Sequence, residues 1–516
     1  MMSGAVSVAV SRLQFMIKDV LERLVAVPEC RFIWSVTLLA LVVRVAFVLV
    51  AGDARHPVMW EHGDIARYML HGHGFTYHPS YYYIPTNPAR WELMQHPPTF
   101  ENANQPPLNP LINYVVFCIL GDTPAAAMTI MLLNCLFGAA LPFVVLQSTR
   151  LLAWRGHRST THSTERSAER STEAAARCSS IVAALFLPAA FSVVTYTGAA
   201  LCMLMGAVVV WFLARSVQAA RAADIAALGA ALGILATLRG EVMLIAPLLL
   251  LMVALARGAQ NSSKSSLRSS WKSSWKSSWK SSWKNAVLSA GLGFVVFAAI
   301  VTPWTVRNYR LLGKVVPMVA RGWHEVWRGN NAYFEGSIWH TRGAQREVTA
   351  SDTAMFPHIS RRLDSIPYDS RFEPRADEVF KEETLVYVKA HPFKTLAMGA
   401  RKILALLTVD VYDRRGQPLL QAVLTIPVTW LCLIGVWSFW RQHSLKSSPA
   451  QAWTIASLAL LYGFYVALFA ATFVISRYQI YFICLLLPFA GLGCMRLAGG
   501  GGAESSHTER ASWHTV

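Results

Sequence analysis

The stretch Trp60–Phe75, WEHGDIARYMLHGHGF, carries two carboxylates, three histidines and two late glycines just after the first long apolar run. Asp64 is its candidate for chemistry. A carboxylate at a membrane surface can take the proton from an attacking hydroxyl or amine. Tyr68 follows four residues later, on the same face if the stretch is helical. The plain alternative is an acid near a helix start, where the helix dipole favours it. Glu61, His62, His71 and His73 are weaker candidates. Two histidines separated by one glycine do not make a zinc site, so no metal ligand is assigned.

A second set of residues is cationic. Arg44 lies inside the first apolar run, toward its outer end. Arg239 and Glu241 form the turn LRGE, Arg307 and Arg310 follow PWTV, and Arg477 opens the last apolar run beside Tyr478. Arginine at or within hydrocarbon is costly and marks a functional position by default, although a snorkelling side chain needs no ligand. Together these arginines suit an anion at the membrane surface, a lipid phosphate above all.

The elements that must position them are membrane helices. Of 516 residues, 54% are hydrophobic and 15% charged, which is not a soluble composition. Apolar runs recur near 32–51, 125–149, 178–197, 199–215, 224–239, 241–257, 286–306, 418–440, 452–474 and 477–498. The longest are enough to cross about 30 Å of hydrocarbon. The fold class is therefore all-α, a polytopic transmembrane bundle of about 10–12 spans, and a β-barrel's alternating strands are absent. The net charge of +18 reads as cytoplasmic lysine and arginine, not as nucleic-acid binding. The eight cysteines sit in or beside apolar runs, without a disulfide or CxxC pattern.

Residues 1–31 contain an amphipathic segment, MIKDVLERLVAV, expected on the cytoplasmic face. The span 32–306 forms an N-terminal catalytic module. Within it, 155–177 and 258–285 read as cytoplasmic low-complexity linkers, the second built on a repeated SSWK. With both linkers inside, 52–124 and 307–417 lie outside as two large loops, 418–498 returns to the membrane, and 499–516 is a cytoplasmic tail. PLNPLINYVVFCIL, 107–120, is short and proline-interrupted, and is expected to insert only half way.

Four stretches resemble a known family. They are HGDIARYMLHGHGF, NQPPLNPLINYVVFCILG, PWTVRNYRLLGKVVPM with RGNNAYFEG, and SRYQIYFICLLLPFAG, with ILATLRGE as a weaker fifth. Their order and spacing are similar to those of the GT-C fold glycosyltransferases, in the bacterial branch related to protein O-mannosyltransferases and the aminoarabinose transferases of lipid A. The resemblance implies a multi-pass protein of the bacterial inner membrane. It would move a sugar from a polyprenyl-phosphate donor to a protein, lipid or glycan acceptor on the extracytoplasmic face. Asp64 matches the acid of the first outer loop. Tyr68, Arg44, Arg239, Glu241, Arg307, Asn308, Tyr309, Arg477 and Tyr478 are the implied substrate-binding residues, with Arg307 the first choice for the donor phosphate. Relatives often carry a second carboxylate where this chain has TYTGAALCMLM, which has no acid. A metal-binding acidic pair is therefore not expected, and neither is a cofactor. Glu101 is displaced from the family's position before Pro-Pro, which Gln105 fills. A transporter or polyprenyl-lipid flippase is the alternative from another class; such proteins usually show repeats and ionisable groups at mid-membrane, and here those groups cluster at the outer edge.

Overall fold

The computed structural model describes residues 16, 19–57, 59–77, 83–94, 96, 100–153, 162–219, 221–266, 274–334, 353–411, 418–442 and 448–499. Among them no strand is formed, and the chain is an all-α bundle. Besides a six-residue helix at Pro88–Leu93, the helices are, in order, α1 (Glu29–Ala51), α2 (Trp60–Leu70), α3 (Leu108–Leu120), α4 (Pro124–Ala153), α5 (His162–Leu185), α6 (Leu187–Phe191), α7 (Ala199–Gln218), α8 (Ala222–Leu238) and α9 (Val242–Ser266). There follow α10 (Ser274–Leu312), α11 (Gly322–Arg328), α12 (Pro357–Asp364), α13 (Phe372–Ala390), α14 (Pro392–Leu407), α15 (Pro418–Gln442), α16 (Pro449–Ala471), α17 (Ser476–Leu486) and α18 (Ala490–Leu497).

Among the described residues, eight helices are long and apolar enough to cross a membrane. The pair Arg166–Leu185 and Leu187–Val194 is apolar enough to form a broken span or a re-entrant loop; it bends by 45° where Pro188 enters the first turn of α6 and removes a backbone donor. The expected run at 224–239 is the shorter apolar helix α8. Each of the ten apolar runs thus corresponds to a helix or a broken helix. The protein is a multi-pass membrane protein. Helix α3 has 13 residues and is about 20 Å long, short of a full crossing. Its asparagines face inward: Asn109 and Asn113 donate to the Tyr196 carbonyl, at 2.5 and 3.4 Å.

Three expectations are corrected. The linker at 155–177 is helical from His162 onward; residues 154–161 lie outside the described set. Its polar composition hides an alanine stripe, Ala174–Ala176, which is buried. Glu173 binds Arg150 at 2.8 Å and Arg177 at 2.5 Å, and Arg150 also reaches Glu29 at 2.7 Å. These pairs tie α5 to α4 and α1. The second linker, 258–285, is helical up to Ser266 and again from Ser274, where residues 274–284 continue into a span; residues 267–273 lie outside the described set. Third, the helix carrying PWTVRNYR continues to Leu312, so the second large loop begins later than 307.

The last span packs through glycines. A Cβ on Gly491 would stand 1.7 Å from the Ala175 carbonyl oxygen, and one on Gly493 2.1 Å from that of Leu431. Such close approach is how membrane helices pack without hydrophobic driving force between them. The Gly491→Ala protein is expected to lose roughly 1–3 kcal/mol and to melt earlier in detergent; an unchanged melting temperature would show that the interface can part at no cost.

Candidate functional site

The two large loops meet over one end of the bundle, here called the loop face. Asn102–Asn104 is a buried strap between them. Asn102 accepts a bond on its carbonyl from Arg307 at 2.6 Å, Ala103 accepts from the Ala320 amide at 2.9 Å, and Asn104 donates to the buried Glu373 carboxylate. The glycines of HGHGF serve this contact. Gly74 sits at φ 71, where L side chains are strained, and a Cβ there would meet the Glu101 carboxylate at 2.4 Å.

Helix α2 carries the candidate base. Ile65 and Ala66 are buried, and Ile65 packs against Phe75, Tyr77 and Trp304. That anchorage turns Glu61, Asp64 and Tyr68 to the remaining surface. Asp64 is partly buried, with Arg67 at 3.8 Å, but Arg67 gives its closer contact, 2.6 Å, to Asp122. Burial pushes the Asp64 carboxyl above its ordinary value; Arg67 opposes this and the negative Glu61 adds to it. Tyr68 makes an edge-to-face contact with His73 at 6.1 Å, and burial with the nearby Asp64 raises its phenol.

Glu61 behaves oppositely. Burial pushes it up, but Arg477, His62 and Arg321 hold it below the ordinary range. Its neighbour His62 is pushed down to about 4 by burial, with the two arginines acting against the charged form and Glu61 opposing them. The imidazole is therefore neutral near pH 7. Its Nδ1 is buried without a hydrogen-bond partner. Directly before this pair, Trp60 adopts φ 47, a strained conformation for a bulky residue.

The arginines fall into separate places. Arg239 is ion-paired with Glu241 and lies over the rings of Tyr478 and Tyr481, at 5.0 and 4.7 Å. Arg477 is exposed at the start of α17 and lies over Tyr478 at 5.4 Å. Among the described residues no carboxylate is within ion-pair distance of it; the acid it faces is Glu61. Tyr481 also bonds Tyr465, hydroxyl to hydroxyl, at 2.9 Å. Beneath them a narrow apolar cavity is lined by Gly206, Leu232, Val242, Leu461 and the two tyrosines.

Other candidates stand elsewhere. Arg307 pairs with Glu101 at 2.9 Å and stacks on Trp304 and Phe75, at 4.7 and 5.5 Å, so its charge is already matched. Asn308 is fully buried and donates to the carbonyls of Val316 and Met318, at 3.0 and 3.1 Å; it braces the turn after α10. Tyr309 is 54% exposed and joins no other candidate. Arg44 is buried among α1, α4 and α5. It donates to the carbonyls of Ala40 and Ala184, at 3.0 and 3.4 Å, against Gly138, where a Cβ would meet its Nε at 2.2 Å. Arg44, expected to bind substrate, is thus held by backbone carbonyls inside the bundle, and Asn308, also expected to bind substrate, braces a turn.

The structure adds residues that no motif marked. Arg321 pairs with Glu325 at 3.2 Å and acts on Glu61, His62, Glu373 and Asp377, linking the first loop to the second. Glu373 and Asn102 are equally unmarked. Among the described residues no group of three or more His, Cys, Asp or Glu is poised to hold a metal ion.

No family model matches the chain, and no curated protein matches it. A solved structure is similar to it: the crystal structure of ArnT from Cupriavidus metallidurans bound to undecaprenyl phosphate. That likeness covers 92% of this chain and 78% of that one, at 16% sequence identity and a TM-score of 0.37.

Burial pushes Glu373 up to about 7, with the Asn104 bond, Arg321 and Arg307 only partly opposing it. Its folded value lies above the unfolded one, so the folded chain holds a proton that the unfolded chain has lost. Stability from this group is present at low pH and is lost as pH rises through about 7. The Glu373→Gln protein should be more heat-stable than wild type at pH 8, by at most about 3 kcal/mol, and should lose the pH dependence. Equal melting curves at pH 5.5 and 8 in wild type would contradict this.

Proposed function

We propose that this protein is a GT-C type glycosyltransferase. It moves a hexose or pentose from a polyprenyl-phosphate donor to an acceptor at the extracytoplasmic face of a bacterial inner membrane. The observation that carries the reading is one arrangement on the loop face. A partly buried carboxylate with a raised pKa, Asp64, stands one turn from Glu61, and Glu61 faces an exposed arginine, Arg477, with no ion pair among the described residues. A base for the acceptor and a fixed positive charge for the leaving phosphate are what this transfer needs. The motif resemblance supports the same chemistry.

The roles follow. Asp64 takes the proton of an acceptor hydroxyl or amine as that atom attacks the anomeric carbon. The bond from that carbon to the phosphate oxygen breaks, and its electron pair leaves with the polyprenyl phosphate. A single displacement inverts the anomeric centre. Arg477 receives the growing charge on phosphate, and Arg239 backs it from the Tyr478 ring. We assign the phosphate to Arg477 in preference to Arg307, because Glu101 already neutralises Arg307 and a new anion would have to displace it. Arg307 instead fixes the strap that holds the loops together.

Two outcomes test these roles. The Asp64→Asn protein should bind a fluorescent polyprenyl phosphodiester as wild type does but turn over roughly 10²–10⁴ times more slowly; normal transfer by a well-folded variant removes Asp64 from the chemistry. In the same binding assay Arg477→Ala should lose affinity more than Arg307→Ala, and Arg477→Lys should recover only part, since an ammonium lacks the two-pronged fork. Unchanged affinity in Arg477→Ala, with a loss in Arg307→Ala, would return the phosphate to Arg307.

A further inference from the structure

Arg477 is delivered by a short turn, Thr472–Ile475, between α16 and α17, and the turn is gripped from two sides. From the end of α11, Asn330 donates to the Ala471 carbonyl at 2.6 Å. Gly329 lies so close that a Cβ would stand 1.6 Å from the Thr472 oxygen, and Arg328 lies over the Phe473 ring at 4.6 Å. From α14 comes Lys402. This helix is amphipathic, 16 residues long with Lys394, Arg401 and Lys402, and is not one of the spanning helices.

Lys402 is fully buried. Its Nζ donates to the Ala470 carbonyl at 3.2 Å and to Asn330 Oδ1 at 3.3 Å, and it lies over the Phe334 ring at 5.1 Å. It therefore joins three elements at once: α14, the end of α11 and the end of α16. Among the described residues no carboxylate pairs with it. The charged groups around it are Arg328, which is bound to Glu325 at 3.2 Å, Arg401 beside it on α14, and Arg477 beyond Tyr478.

We propose that Lys402 is a positioning residue: it clamps the turn between α16 and α17 and so sets where Arg477 meets the donor phosphate. The proposal rests on the assignment of the phosphate to Arg477. The hydrogen-bond inventory fits a neutral amine, which has two N–H groups for the two oxygens found. Burial supports this, lowering the Lys402 amine to about 7. When the clamp opens, the amine meets water and regains its ordinary, higher affinity for a proton. Protonation therefore favours the open turn, and the closed turn gains as pH rises above about 7.

The experiment measures binding of a fluorescent polyprenyl phosphodiester, whose own charge does not change in this range, to purified full-length protein from pH 6.5 to 9. Wild-type affinity should strengthen with pH, by up to about tenfold per unit. Lys402→Met keeps the bulk but offers no donor; it should bind several-fold more weakly and without pH dependence. Lys402→Gln restores two N–H donors without a titrating charge. It should recover affinity and remain flat with pH, and it serves as the test if the Met variant fails to fold. Wild-type affinity and wild-type pH dependence in either folded variant overturn the proposal. An Arg477→Ala control separates the two readings. Unchanged binding there defeats the phosphate assignment itself, whereas loss there with no effect at Lys402 defeats only the clamp.

Discussion

A guanidinium at the edge of a hydrocarbon bundle needs an anion, an aromatic face or backbone oxygens, because leaving it bare in a low-dielectric place costs too much. The loop face of this protein is organised by how each arginine meets that need. Arg67 takes Asp122, Arg239 takes Glu241 and two tyrosine faces, and Arg307 takes Glu101 between Trp304 and Phe75. Arg44 is satisfied by carbonyls inside the bundle. Arg477 has an aromatic face and a distant acid but no ion pair among the described residues. An arginine provisioned less completely than its neighbours, and exposed, is where an external anion gains most.

The same constraint accounts for the neighbouring acids. Glu61 and Asp64 lie one turn apart on the same helix, yet they are held in opposite directions. Positive charge dominates at Glu61, whereas burial dominates at Asp64 because Arg67 is committed elsewhere. Two carboxylates pushed apart in this way can divide roles. In the proposed reaction Glu61 stays a counter-charge facing Arg477, and Asp64 is the group assigned to exchange a proton. The apolar anchor at Ile65 fixes both, so the chemistry depends on a packing contact with Phe75 and Trp304.

Much of the fold was readable as apolar runs, since length and hydropathy decide whether a segment crosses a membrane. Pairing was not readable. Arg307 stood in the most specific motif, but its partner Glu101 lies 206 residues earlier, and nothing local announces that contact. Arg44 was visible as an arginine in a span, but depth along a helix says nothing about which face it occupies. The asparagine of PWTVRNYR looked like part of a binding motif and proved to be a turn brace. The polar composition of 162–177 weighs its charges and overlooks Ala174–Ala176, which are buried, with Ala175 against Gly491 of the last span. Arg321 and Lys402 carry no motif at all; only the closure of distant loops makes them central.

The central claim is that the loop face cleaves a lipid-borne sugar phosphate and does not merely carry the lipid. The direct measurement gives purified protein, reconstituted in vesicles, a polyprenyl phosphate bearing a radiolabelled sugar, and follows both free polyprenyl phosphate and label on an added acceptor extract. The account predicts acceptor-dependent release of polyprenyl phosphate with label moved to the acceptor. Movement of the intact lipid between leaflets, with no cleavage at any acceptor concentration, would contradict it.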